Sequence, residues 1–195
     1  MRKIETSLVE GLHLPAQNKH PFGPKYQKAS YASALSHCTR FRVAVDAGAH
    51  VGIFTRRMRE DFDTVYAFEP EPTNFDCLCL NTPHLLNLPM GLGKERTFGR
   101  MENPKPINSG AWEFRSDPDG ECAIVSLDGL QLTALDLLKM DVQGMELDIL
   151  EGGEKTIVAH EPVILYETGD PLVPEWLADH GARGSPKARG KNWTR

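Results

Sequence analysis

The segment Val43–Pro70 constrains the fold of this chain more than any other stretch. An apolar run leads through a glycine-bearing turn into a helical segment, and a second apolar run then ends at Glu69. This order predicts a βαβ unit with an acid about 20 residues after the turn, where such units bind a ribose. The glycines are spaced G-x-x-x-G, at Gly48 and Gly52, whereas a pyrophosphate is packed by G-x-G-x-x-G. The segment therefore predicts a nucleoside cofactor without phosphates.

S-adenosylmethionine fits this pattern, because it carries a ribose and no phosphate. Glu69 suits two vicinal ribose hydroxyls, since a carboxylate accepts two hydrogen bonds at once, and it would repel a 2′-phosphate such as that of NADP. The glycines let the backbone approach the cofactor closely. Asp46 has two open roles, fixing the turn or reaching the methionine ammonium. The predicted cofactor-binding residues are Asp46, Gly48, Ala49, His50, Gly52, Glu69 and Pro70.

Composition indicates one soluble domain spanning residues 1–195, with 40% apolar and 25% charged residues. The net charge of −5 argues against a general nucleic-acid binder. We expect an N-terminal arm or lid and a helix over 1–40, a cofactor-binding core over 41–170, and a short helix with a basic tail over 171–195. The tail is either a solvated surface or a contact for an anionic partner.

The four cysteines have no metal-ligand spacing, which predicts reduced thiols and a cytoplasmic protein. The N-terminus lacks the apolar region of a signal peptide, and no apolar run approaches the roughly 20 residues that span a bilayer. The histidines show no ligand spacing either. We therefore expect neither a metal site nor a membrane segment.

Strands alternate with helices along the chain, which predicts an α/β fold with a Rossmann-like, doubly wound, mostly parallel sheet. A long loop is expected over 94–109. The turn signal at 117–120 predicts a hairpin between the strands 112–115 and 122–126. The predicted strands are 41–45, 64–68, 85–92, 112–115, 122–126, 135–140 and 162–166. The predicted helices are 26–39, from the glycine turn through 60, 73–80, 146–159 and 174–180.

Four of the apolar strands end at or beside an acid: Asp46, Glu69, Asp141 and Glu167. Ligands bind beyond the carboxyl ends of the strands in an open α/β sheet, near the point where the strand order reverses. If these strands are parallel neighbours, the four carboxylates gather on one rim.

Three blocks of sequence resemble the FkbM-type family of class I methyltransferases over roughly residues 41–170. They are Asp46–Gly52, Phe68–Pro70 with Asn81 downstream, and Leu138–Glu146, and the strand 163–167 fits as well. The resemblance implies a class I fold, S-adenosylmethionine as cofactor and, commonly, methylation of a hydroxyl oxygen. It also implies that Asp141, Gly144 and Glu146 shape the catalytic rim.

The sequence departs from this family at two places. Gln143 stands where the family often carries an acid. Class I methyltransferases usually finish with a helix and an antiparallel strand pair, and the stretch after Glu167 is short for both. We therefore expect a sheet curtailed at its C-terminal edge.

Methyl transfer from a sulfonium asks mainly for positioning and, with a hydroxyl acceptor, for a group that takes the proton. Asp141 is the leading candidate to orient the acceptor or take its proton, with Glu167 second and His50 weaker. The predicted acceptor is a small molecule or saccharide, and the oligomeric state stays open. Two alternatives remain: a non-catalytic nucleoside-binding domain and an NAD-dependent oxidoreductase, the latter disfavoured by the glycine spacing.

Overall fold

The computed structural model describes residues 5–16, 26–105, 108–167 and 170–181. The strands of this part are β1 (Thr6–Val9), β2 (Leu12–Pro15), β3 (Val43–Ala47), β4 (Thr64–Phe68), β5 (Leu86–Leu88), β6 (Gly91–Gly93), β7 (Thr97–Glu102), β8 (Glu113–Ser116), β9 (Cys122–Ser126), β10 (Leu137–Met140) and β11 (Val163–Tyr166). The helices are α1 (Lys28–Leu35), α2 (Ile53–Asp61), α3 (Pro72–Asn81), α4 (Glu146–Gly152), α5 (Glu154–His160) and α6 (Leu172–Asp179), with one 3-10 turn over Asp128–Leu130.

The central sheet has five parallel strands in the order β5-β4-β3-β10-β11. Alternate residues of its strands face opposite layers, since Ala44 packs with Tyr31 and Phe54, whereas Val45 packs with Ile149. Helices thus cover both faces, which confirms the predicted α/β, doubly wound sheet. From β3 the chain adds β4 and β5 on one side of the sheet, and it later adds β10 and β11 on the other side of β3. The strand order therefore reverses between β3 and β10.

A second sheet, with strand order β6-β9-β7-β8, was not predicted. The predicted loop over 94–109 contains β7, and the predicted hairpin is wrong because β7 lies between β8 and β9 and pairs with both. Gly99 in β7 lets the Phe114 ring lie over the backbone, where a Cβ would overlap that ring. The predicted strand over 85–92 is two strands, β5 and β6, which belong to different sheets on either side of Pro89.

The predicted irregular N-terminal arm contains the antiparallel hairpin β1–β2. Leu12 and Leu14 of the hairpin are buried against Val51 and Cys77, so it packs on the side of α3. Residues 17–25 of that arm lie outside the described residues.

The predicted helix over 146–159 is two helices, α4 and α5, divided at Gly153. Gly152 lies so close to β6 that a Cβ would overlap the carbonyl oxygen of Gly93. No strand follows β11 within the described residues, and residues 182–195 of the predicted C-terminal segment over 171–195 lie outside them. In the described part of the chain, no helix has both the length and the apolar character needed to cross a membrane.

Candidate active site

A cavity of about 840 Å³ opens at the carboxyl ends of β3, β4, β10 and β11, where the strand order reverses. The central sheet, its loops and the segments packed beside it contribute Tyr26, Gly48, Ala49, His50, Glu69, Pro70, Asn74, Lys139, Asp141, Val142, Gln143 and Glu167 to its wall, among others. The second sheet and its loops contribute Leu92, Met101, Ser109, Trp112, Phe114 and Ile124. The predicted site residues that do not line this cavity are Asp46, Gly52, Gly144 and Glu146.

The glycine turn after β3 depends on both of its glycines. Gly48 has a φ of +71°, and a Cβ there would overlap the backbone carbonyl of Asp141. Gly52 has a φ of +88° and begins α2, packed against Leu78. The amides of Gly48 and Ala49 donate to the carbonyl of Phe68 at 3.0 and 2.9 Å. The turn is thereby fixed against the ends of β4 and β10.

Asp46 is fully buried beneath this turn and does not reach the cavity. Its Oδ1 lies 2.9 Å from Nζ of Lys139, and its Oδ2 accepts a hydrogen bond from the Thr55 hydroxyl at 2.6 Å. Lys139 also donates to the carbonyl of Gly48 at 2.7 Å. The geometry favours turn fixing, the first of the two roles predicted for Asp46.

Lys139 is a site residue that the sequence analysis missed. It is 4% exposed and lines the cavity between the turn and Asp141. Burial alone would lower the pKa of its ammonium, but the carboxylates of Asp46 and Asp141 raise that pKa above its usual value. The sequence did carry a signal, because Lys139 interrupts an otherwise apolar strand. The structure adds that Lys139 pairs in register with Asp46.

Glu69 follows β4, and backbone amides hold both oxygens of its carboxylate. Its Oε2 accepts from the amide of His50 at 2.8 Å, and its Oε1 accepts from the amide of Glu71 at 2.9 Å. Burial raises the pKa of Glu69 to about 7 against the opposing effect of these two bonds. His50 has a φ of +52°, and burial, with the charge of Lys139, lowers its pKa to about 3. Its imidazole is therefore neutral at pH 7 and a poor base.

Asp141 and Glu167 lie at the other end of the cavity with Tyr26. Burial and the charge of Asp141 raise the pKa of Glu167 to about 7. Oε2 of Glu167 accepts a hydrogen bond from the side-chain amide Nε2 of Gln27 at 3.3 Å. Burial and the charges of Asp141 and Glu167 raise the pKa of the Tyr26 hydroxyl to about 12. Tyr26, which the sequence analysis did not single out, is therefore a protonated hydroxyl beside two carboxylates.

The loop between β10 and α4 is braced by Glu146. Its two carboxylate oxygens accept from the amides of Val142 at 3.3 Å and Gly144 at 3.1 Å. Gln143 donates from Nε2 to Oδ1 of Asp141 at 3.2 Å. In this loop, the neighbour of the Asp141 carboxylate is therefore the neutral side-chain amide of Gln143, which donates a hydrogen bond to it.

The second sheet supplies an apolar wall that the sequence analysis placed in a loop and a hairpin. Met101 of β7 pairs in register with Phe114 of β8, and Trp112 precedes Phe114 by two residues. All three line the cavity and are half-buried. The wall adds flat apolar surface opposite the rim of carboxylates.

Among the described residues, no group of three or more His, Cys, Asp and Glu side chains is arranged to hold a metal ion.

Comparisons with known proteins bear on the family of the chain. The chain matches the family model of the methyltransferase FkbM domain over residues 123–183, which include β10, the Asp141 loop and Glu167. None of the curated proteins matches the chain.

A solved structure with the same fold is the crystal structure of a methyltransferase FkbM from Methylobacillus flagellatus KT. It is 20% identical, with a TM-score of 0.50, and the match covers 71% of this chain and 37% of that one. The chain thus spans little more than a third of the length of that protein, and at this identity the likeness bears on the fold alone. The family match over 123–183 and the shared fold together support the FkbM-type methyltransferase family for this chain.

Proposed function

We propose that this chain uses S-adenosylmethionine to methylate a hydroxyl oxygen of a small molecule or saccharide. The observation that carries the proposal is the buried carboxylate of Glu69, set beside the glycine turn in the cavity where the strand order reverses. Each oxygen of Glu69 accepts one amide and keeps a lone pair for a ligand hydroxyl.

The residues present fit S-adenosylmethionine better than a dinucleotide. The cavity wall carries the carboxylates of Glu69, Asp141 and Glu167. Lys139, although cationic, is already paired with Asp46 at 2.9 Å. Such a wall favours a positively charged ligand and disfavours a pyrophosphate. Glu69 and the glycine turn would hold the nucleoside, with Ala49, His50 and Pro70 around it.

When bound, S-adenosylmethionine would supply an activated methyl group on a sulfonium. The chain would then have to position the acceptor and take its hydroxyl proton. Glu167 is the better base, because its pKa of about 7 matches a proton acceptor at neutral pH. Asp141, fixed by Gln143, would orient the acceptor hydroxyl. The structure thus favours Glu167 over Asp141, the leading candidate from sequence, for the proton.

The apolar wall of the second sheet supports a ring-bearing acceptor. Trp112 and Phe114 offer flat apolar faces, while Asp141 and Glu167 accept hydrogen bonds from hydroxyls. A saccharide or another hydroxylated ring presents both surfaces at once.

All four cysteines are free thiols, which supports a location in the reducing cytoplasm as a further part of the proposal.

A thermal-shift titration tests the proposed function directly. We expect S-adenosylhomocysteine to raise the melting temperature and NAD to leave it unchanged, because a ligand that binds the native state stabilises it. Stabilisation by NAD alone would indicate an oxidoreductase. No response to either would favour the non-catalytic alternative. Methyl transfer is then measured by mass spectrometry against a panel of hydroxylated rings, and a gain of 14 Da on the acceptor is expected, the mass of a methyl group replacing a hydrogen.

A further inference from the structure

Five residues around the nucleoside end of the cavity form a closed ring of hydrogen bonds. One arm runs from Oε2 of Glu69 to the amide of His50 at 2.8 Å, and from Nε2 of His50 to the hydroxyl of Ser109 at 2.7 Å. The other arm runs from Oε1 of Glu69 to the amide of Glu71 at 2.9 Å, and from Oε2 of Glu71 to the amide of Asn74 at 2.6 Å. Nδ2 of Asn74 then donates to the carbonyl of Ser109 at 2.8 Å. Ser109 is thus linked to both oxygens of Glu69.

Four of the five residues of the ring are buried, and His50 is half-buried. Glu69 and Glu71 are each 5% exposed, Ser109 is 4% exposed and Asn74 is 2% exposed. Hydrogen bonds in such surroundings are stronger than in water, and a buried polar group left without its partner is costly. The ring therefore restrains the Glu69 carboxylate more tightly than solvated contacts would.

Ser109 belongs to the loop between β7 and β8, far along the chain from the other four residues. A compact turn presents it, because the amide of Gly110 donates to Oδ1 of Asn108 at 3.0 Å and the amide of Ala111 donates to its carbonyl at 3.2 Å. Asn103 adds a bond from Nδ2 to the same carbonyl at 3.0 Å. The second sheet therefore holds Ser109 in place against the central sheet.

We propose that Ser109 is a positioning residue for the nucleoside, which fixes the Glu69 carboxylate through His50 and Asn74. The inference rests on the proposed function, since it gives Glu69 the ribose to bind. It also gives the second sheet a part in cofactor binding, in addition to its apolar wall.

Calorimetry with S-adenosylhomocysteine tests this role. In Ser109→Ala we expect the Kd to rise about 2–10-fold, the value of one neutral hydrogen bond. Ser116→Ala, at an exposed position of β8 in the same sheet, is the matched control and should bind like the wild type. Ser109→Thr keeps the hydroxyl and should bind within about twofold of the wild type.

A double-mutant cycle separates positioning from general packing. In the Glu69→Gln background, where the carboxylate is gone, Ser109→Ala should weaken binding by less than about twofold. Equal weakening in both backgrounds would overturn the inference, as would a Ser109→Ala variant that binds like the wild type. If Glu69→Gln fails to fold by circular dichroism, equal Kd values for Ser109→Ala and Ser109→Thr would overturn it instead. A wild-type protein that binds no S-adenosylhomocysteine would contradict the proposed function itself.

Discussion

Glu69 and Glu167, at the two ends of the cavity, occupy similar positions in the fold but differ in the hydrogen bonds that hold their carboxylates. Glu69 and Glu167 each follow a parallel strand, and burial raises the pKa of each to about 7. Both oxygens of Glu69 accept backbone amides, from His50 and Glu71. Glu167 instead accepts one side-chain amide, from Gln27 at 3.3 Å. We infer that a carboxylate fixed by the backbone serves to bind, and one held by a side chain serves to exchange a proton.

The largest expected effect is at the proton-exchanging end. Glu167→Gln keeps the shape of the side chain and removes the base, so we expect the rate of methyl transfer to fall by about 10²–10⁴-fold. The Kd for S-adenosylhomocysteine should change by less than about twofold, because we propose that Glu69, and not Glu167, binds the nucleoside. Initial rates with the acceptor from the panel and calorimetry give the two values.

Glu175→Gln, at an exposed position on α6, is the control for that experiment and should match the wild type in both measurements. If Glu167→Gln instead lowered nucleoside affinity and kept the rate, the roles assigned to the two ends would be reversed.

The next effect concerns Lys139, which lies between the two ends. Lys139→Met leaves the Asp46 carboxylate buried without its countercharge, so we expect the free energy of unfolding to fall by about 3–5 kcal/mol. Lys94→Met, which breaks a solvated pair with Glu151, should change it little. Urea denaturation compares the two variants. An equal, small loss in both would mean that the Asp46–Lys139 pair does not hold the turn.

The arrangement of the glycine turn and Glu69 was largely predictable from sequence, because these residues are close along the chain. Gly48, Gly52 and Glu69 lie within one βαβ unit, so their spacing along the chain already fixes their spacing in space. Glu167 also followed from a strand-end rule. The contact between Lys139 and Asp46 did not follow, because it depends on which strands become neighbours.

The second sheet could not be predicted for a different reason. β7 contains Gly99, Arg100 and Glu102, so it lacks the apolar alternation that marks a half-buried strand. Its partners β8 and β9 flank a strong turn signal, which favoured pairing them with each other. In the observed sheet, β8 and β9 each pair with β7 and not with each other. Only tertiary contacts determine that choice. Ser109 was missed for the same reason.

A smaller effect is expected at the binding end. Glu69→Ala removes the acceptors for the ribose hydroxyls, so we expect the free energy of binding S-adenosylhomocysteine to weaken by about 1–3 kcal/mol. Calorimetry measures this loss. Glu71→Ala is a useful comparison and should cost less affinity, because Glu71 donates to Glu69 from its backbone amide, which this substitution keeps. Unchanged affinity in Glu69→Ala would contradict the ribose assignment.

The smallest effect is a pH dependence. Burial raises the pKa of both Glu69 and Glu167, but we expect only the protonation of Glu167 to change the rate of methyl transfer. Glu167 accepts a proton only when ionised, so below its pKa of about 7 the rate at saturating cofactor should fall about tenfold per pH unit. Above that pKa the rate should level off, because the base is then fully deprotonated. Saturation removes the contribution of Glu69, whose pKa is also about 7 but whose protonation affects binding. Rates of Glu167→Gln should lose this inflection while those of Glu175→Gln keep it. An inflection that survives in Glu167→Gln would assign the proton transfer to another group of the rim, with Asp141 next in line.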